Sequence, residues 1–213
     1  MFRPFRIVMV LALGVGIYTG FFQTPPDPHV VNAFDADKAA TFHLESWKAL
    51  KEHRDFGFYF NLVQRLREQH RYTWWKAGLQ GFYLSRATTQ FAEMHNRYER
   101  ALADLEDAAA VEHSWTNGKY DPKAAARTQL DWWVTRKMPG LDDVDHVAEL
   151  MANEWAIRYG VGQDRVVGAT LPMSQAMRLF DEGGDKPDWA LIGRLLNESY
   201  KNLKAGLSRR AKY

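Results

Sequence analysis

The sequence predicts an all-α protein: an N-terminal transmembrane or signal-anchor helix, then about eight helices in two pseudo-repeated helical units. Three observations carry this. Ile7 to Phe22 runs without a charged residue. From Phe34 onward apolar residues recur at spacings of three and four, while Gly and Pro fall mainly between the periodic segments. Phe34-Asp35-Ala36-Asp37-Lys38-Ala39-Ala40 also aligns with Tyr120-Asp121-Pro122-Lys123-Ala124-Ala125-Ala126, setting Leu44, Glu45 and Trp47 over Leu130, Asp131 and Trp133. An internal duplication accounts for that match.

Residues 1–6 form a basic start with Arg3 and Arg6 and no acid. Residues 7–22 follow as the expected anchor. At about 1.5 Å rise per residue the segment reaches roughly 24 Å, between a signal-peptide core and a full ~30 Å span. The small residues of Val31-Asn32-Ala33 offer the only cleavage site, far beyond the apolar run and past Pro25, Pro26 and Pro28. The expectation is therefore an uncleaved single-pass anchor in the inner (cytoplasmic) membrane with the bulk on the periplasmic or extracytoplasmic side. An exported soluble protein and a mitochondrial inner-membrane subunit are the alternatives. Gly16 and Gly20 form a GxxxG that permits close packing of another membrane helix.

A Pro-rich linker, 23–33, leads to helical unit 1 at 34–111, a linker at 112–121 and helical unit 2 at 122–213. Helices are expected at about 36–53, 57–71, 73–94 and 96–111, then 122–138, 143–159, 163–180 and 188–207. Tyr159-Gly160-Val161-Gly162 and Gly183-Gly184 are stops, and Thr116-Asn117-Gly118-Lys119 is a turn. In the last helix Asp188 is the N-cap candidate, and Trp189, Ile192, Leu195, Leu196, Tyr200, Leu203 and Leu207 form one apolar stripe. Trp189 is expected in the core.

Composition narrows the chemistry. With no Cys, thiolate nucleophiles, Fe-S clusters, Cys-zinc sites and disulfides are excluded. A net charge of +2 gives no electrostatic case for nucleic acid. No Glu-x-x-His occurs; Asp143 with His146 is the nearest metal candidate, and its bland alternative is charge complementation at a helix start. His43, His53, His70, His95 and His113 share no ligand spacing and read as scattered surface or interface histidines. Phosphate-binding and nucleophile-elbow glycine motifs are missing too. The expectation is a non-enzyme without a cofactor.

Aromatic content stands out: eight Trp, nine Tyr and twelve Phe. Trp74-Trp75 and Trp132-Trp133 are adjacent pairs, and neighbours on a helix diverge by about 100°, so one indole of each pair is expected inside and the other on a flank. These four, with Trp47 and the run Phe56, Phe58, Tyr59 and Phe60, are the candidates for an interface or a ligand groove. Glu45 and Asp131, at equivalent places in the two units, are expected to form structural ion pairs with basic residues such as Arg54 and Arg136.

The helix of Asp131-Trp132-Trp133 with Arg136 behind it, followed by Tyr159-Gly160-Val161, resembles a set of small bacterial all-helical proteins over about 120–207. The resemblance implies a helical fold and no activity. The functional expectation is a membrane-anchored accessory, scaffolding or assembly subunit with integral membrane protein partners. The alternatives are a binding module for an apolar ligand such as a lipid or pigment, and a carboxylate/His metal-dependent enzyme.

Overall fold

The computed structural model describes residues 14, 17–18, 21–22, 32–93, 98–116 and 119–208. Among them the secondary structure is entirely helical: α1 (Ala36–Lys51), α2 (Asp55–His70), α3 (Trp74–Glu93), α4 (Glu99–Thr116), α5 (Pro122–Thr135), α6 (Val144–Tyr159), α7 (Val167–Glu182) and α8 (Trp189–Ser208). A single 3-10 turn, Gln163–Arg165, precedes α7.

The starts are written in acidic caps. Asp35 accepts the backbone N–H groups of Asp37 and Lys38 at 3.1 and 3.2 Å, and Asp121 accepts that of Lys123 at 3.0 Å with Pro122 at the first helical position. Asp143 and Asp188 cap α6 and α8 in the same manner. Helix α6 stops at Gly160, whose φ of 60° is left-handed.

Each helix packs on its predecessor and successor, and α8 packs on α1, so the eight close into a ring. Short connections make neighbours antiparallel, and because eight is even the closing pair α8/α1 is antiparallel as well. The two halves of the sequence meet edge to edge at α4/α5 and α8/α1. The apolar core is correspondingly split into three patches around the ring. One is built on Phe34, Met151, Met173, Ile192, Leu196 and Leu203, a second on Phe58, Leu62, Leu66 and Tyr72, and a third on Phe91, Leu105 and Leu130.

Several boundaries differ from expectation for physical reasons. Helix α4 continues to Thr116, taking Glu112 out of the expected linker, because its buried stripe of Ala101, Leu105, Ala108 and Ala109 continues through Glu112. Helix α7 begins at Val167 rather than near 163. Arg165 donates from Nε to the Gly206 carbonyl and from Nη2 to the Leu207 carbonyl, which holds the preceding residues in the tighter turn. That approach is so close that a Cβ at Gly206 would lie 1.8 Å from the Arg165 carbonyl oxygen. Trp189, expected in the core, is only half-buried and packs beside Phe180 at the edge. The expected anchor lies largely outside the described residues, and Gly16 and Gly20 entirely so. No helix among the described residues is long and apolar enough to cross a membrane.

Candidate functional site

The centre of the ring is a cavity of about 210 Å³ to which every helix contributes a side chain. Helix direction sorts the lining into two zones. At the end where α1, α3, α5 and α7 begin and their neighbours finish, within roughly a turn or two, lie Gln69, His70, Gln80, Glu112, Gln129, Glu154, Arg158 and Tyr159. At the other end lie Trp47, Phe58, Phe91, Trp133, Phe180 and Arg136. Between them stand His43, Arg65, Trp132 and Tyr200. The cavity is thus charged at one pole and aromatic at the other.

Arg158 organises the charged pole. Its Nη1 donates to Glu112 at 2.5 Å, its Nε pairs with Glu154 one turn earlier, and its Nη2 donates to Gln129 at 2.7 Å. The Trp132 indole N–H donates to the same Glu154 at 3.2 Å, and Gln80 donates to Glu112 at 3.4 Å. This network ties α3, α4, α5 and α6 together. One guanidinium thus serves two buried carboxylates, and they respond differently. Burial pushes the Glu112 carboxyl up, but Arg158, His70 and its hydrogen bonds outweigh that and hold it below the usual range. For Glu154 burial prevails over Arg158, and the carboxyl is raised. Across the cavity Gln69 of α2 donates to the Tyr159 hydroxyl of α6 at 2.7 Å, joining two helices that are not neighbours in the ring.

A second cluster joins α8, α1 and α2. His43, 5% exposed, has Arg65 Nη1 at 3.2 Å from Nε2 and the Tyr200 hydroxyl at 3.1 Å from Nδ1. Burial, reinforced by the Arg65 charge, holds this imidazole well below the ordinary histidine range, so it is neutral. Three cavity-lining groups carry a buried polar atom without a hydrogen-bond partner, Arg65 at Nε, Gln80 at Oε1 and Arg136 at Nε. Such orphans are uncommon inside folded proteins.

The sequence candidates divide. Trp47, Phe58, Trp132, Trp133 and Arg136 line the cavity. Trp47 packs against Phe180 with ring centroids 5.0 Å apart, and Trp133 against Phe91 at 5.2 Å. Both indoles of the 132/133 pair face inward, because a helix in a closed ring has a broad inner face. In the other pair Trp74 is half-buried beneath Arg67 and Trp75 is 58% exposed. Phe56 and Phe60, one turn apart, stack on each other at the surface, while the Tyr59 hydroxyl donates to the Gly78 carbonyl. The expected Glu45/Arg54 and Asp131/Arg136 pairs do not form. Glu45 pairs with Lys48 on its own helix, Arg54 with Glu52 and Arg136 with Asp181. Asp131 lies about 100° from Trp132 on the side away from Trp133, which takes it off the inner face, and it is exposed. Asp143 and His146 make no metal centre: the Asp143 carboxylate accepts the backbone N–H groups of Asp145 and His146, and His146 is exposed. No cluster among the described residues could hold a metal ion.

Sequence reasoning passed over His43, Arg65, Gln80, Glu112, Glu154, Arg158 and Tyr200 as a site. The signal was charge on an apolar stripe: Glu154 and Arg158 are spaced as successive turns of one helix face beside Met151, and Glu112 continues the Leu105, Ala108 stripe. Comparison with family models, with curated proteins and with solved structures found no match to this chain.

Proposed function

We propose that this chain is a binding protein for a small amphipathic molecule held inside the helical ring. The observation that carries the reading is the cavity of about 210 Å³, charged at one pole and aromatic at the other, with unpaired polar atoms on its wall. A cavity of about 150 Å³ holds benzene, so this one suits a ligand of about eight to twelve non-hydrogen atoms with one polar end. Trp47, Trp133 and Phe180 receive its apolar body. In calorimetric titration of the full-length protein, the neutral probe 3-phenylpropanamide should bind one to one. Met173→Trp, which fills the cavity with an indole, should abolish the signal. Absence of binding to the unaltered protein contradicts the proposal.

A second reading is compatible with the first: residues 7–22 anchor the ring to a membrane, with the bulk on the extracytoplasmic side, as an accessory subunit of a larger complex. Its support is the charge-free segment after Arg3 and Arg6, together with the stacked Phe56 and Phe60, 79% and 44% exposed, which form an apolar surface suited to a protein partner.

A further inference from the structure

The hydrogen-bond chemistry around His43 fixes more than its neutrality. A guanidinium has donors only, so where Arg65 Nη1 meets His43 Nε2 at 3.2 Å the ring nitrogen must be the acceptor. A neutral imidazole with its lone pair on Nε2 carries its proton on Nδ1. That Nδ1–H then donates to the Tyr200 oxygen 3.1 Å away, and the Arg65 charge lies near the same hydroxyl. The Tyr200 hydroxyl proton is therefore left over. No acceptor for it is found among the described residues, although Tyr200 is 2% exposed and lines the cavity. Arg65 is in the matching position. Of the three arginines on the cavity wall, Arg158 pairs with Glu112 and Glu154 and Arg136 with Asp181, whereas Arg65 has no carboxylate partner among the described residues; its Nε, like that of Arg136, is buried without a hydrogen bond. The cluster thus offers the cavity a cation and a hydroxyl proton, with no acceptor of its own left to satisfy them.

We propose that His43, Arg65 and Tyr200 form the receptor for a carboxylate on the cavity's ligand, which is a small aromatic or branched monocarboxylic acid; this rests on the cavity being a binding site. A partly buried guanidinium with no counter-ion beside it favours an anionic partner, and a carboxylate supplies the missing charge while accepting the Tyr200 proton. A monoanion matches one uncompensated cation. A phosphate ester would bring a second negative charge into a space that already holds Glu112 and Glu154. His43 is a positioning residue: it directs the hydroxyl proton of Tyr200 away from itself and leaves the Arg65 charge intact.

The test is calorimetric titration of the full-length protein at neutral pH with 3-phenylpropionate and with its neutral counterpart 3-phenylpropanamide. The acid should bind about tenfold or more tightly than the amide, equivalent to about 1.4 kcal/mol or more. Tyr200→Phe, which keeps the ring and removes the proton, should erase most of that preference, read as the ratio of acid to amide affinity in the same variant, and Arg65→Gln should do the same. Circular dichroism confirms that each variant is folded, and if Arg65→Gln is not, Tyr200→Phe alone decides. Excess chloride should leave the preference in place. Equal binding of acid and amide, or a Tyr200→Phe variant that retains the preference, overturns the carboxylate receptor while the cavity reading stands. Loss of the preference in chloride overturns the assignment to a carboxylate, since any anion would then serve. If neither compound binds, both proposals fail.

Discussion

Two buried carboxylates share the Arg158 guanidinium, so the residues of this network are unequal under substitution. Arg158→Met leaves Glu112 and Glu154 facing each other without a countercharge and should cost about 3 to 5 kcal/mol in urea denaturation. Glu112→Gln keeps a hydrogen-bonding side chain and leaves Arg158 wholly to Glu154, so its cost should be smaller, about 1 to 3 kcal/mol. The reverse order would contradict the assignment of Arg158 as the shared partner. His43 makes a prediction of a different kind. Its pKa is lowered in the folded chain, so as the pH falls through about 6.5 the unfolded chain gains a proton that the folded chain does not, and stability falls by up to about 1.4 kcal/mol per pH unit. His70, also lowered by burial, acts in the same direction, while the raised Glu154 opposes both. Thermal unfolding of His43→Gln should therefore show a shallower decline below about pH 6.5 than the unaltered protein. An identical slope would show that His43 titrates alike in both states. At this scale the aromatic wall was legible, through Trp47, Phe58, Trp132 and Trp133. The polar wall was not, because a lone His43 or Arg65 gains its meaning only from partners more than a turn away or on other helices.

Helix α7 carries Pro172 in its interior, and the fold compensates for it. A proline has no N–H, so the Gly168 carbonyl four residues back loses its helical partner. Asn202 of α8 donates its side-chain amide to that carbonyl at 2.8 Å. Asn202→Ala should destabilise by about 0.5 to 1.5 kcal/mol. In a Pro172→Ala background, where an N–H is restored, the same change should cost much less, and denaturation of the four proteins of this double-mutant cycle measures the difference. Equal costs in both backgrounds would show that the bond is unrelated to the proline. Helix starts at this scale were readable to within a residue at α1, α5, α6 and α8, because an Asp cap is a local signal. The end of α4 and the start of α7 were not, since each depends on something distant: the ring interior for Glu112, and the α8 carbonyls for Arg165.

The eight described helices form a ring because α8 returns to α1, a contact between residues more than 130 positions apart in the sequence. Periodicity shows that each helix has a buried face and leaves the partner of that face undetermined, so the closed ring and its central cavity lay beyond the sequence. The 86-residue offset seen in the sequence coincides with the starts of α1 at Ala36 and α5 at Pro122, which occupy opposite positions in the ring. A central cavity, charged at one pole and aromatic at the other and surrounded by three apolar patches, is the reason the ring is read as a container. The most direct test is the mass of the full-length protein, purified from its native source without denaturation, measured under native and then denaturing conditions. The account predicts an excess mass in the native spectrum, equal to one organic acid of about eight to twelve non-hydrogen atoms and released on unfolding. Identical masses in the two spectra, from a protein that also fails to bind either phenyl probe, would contradict it.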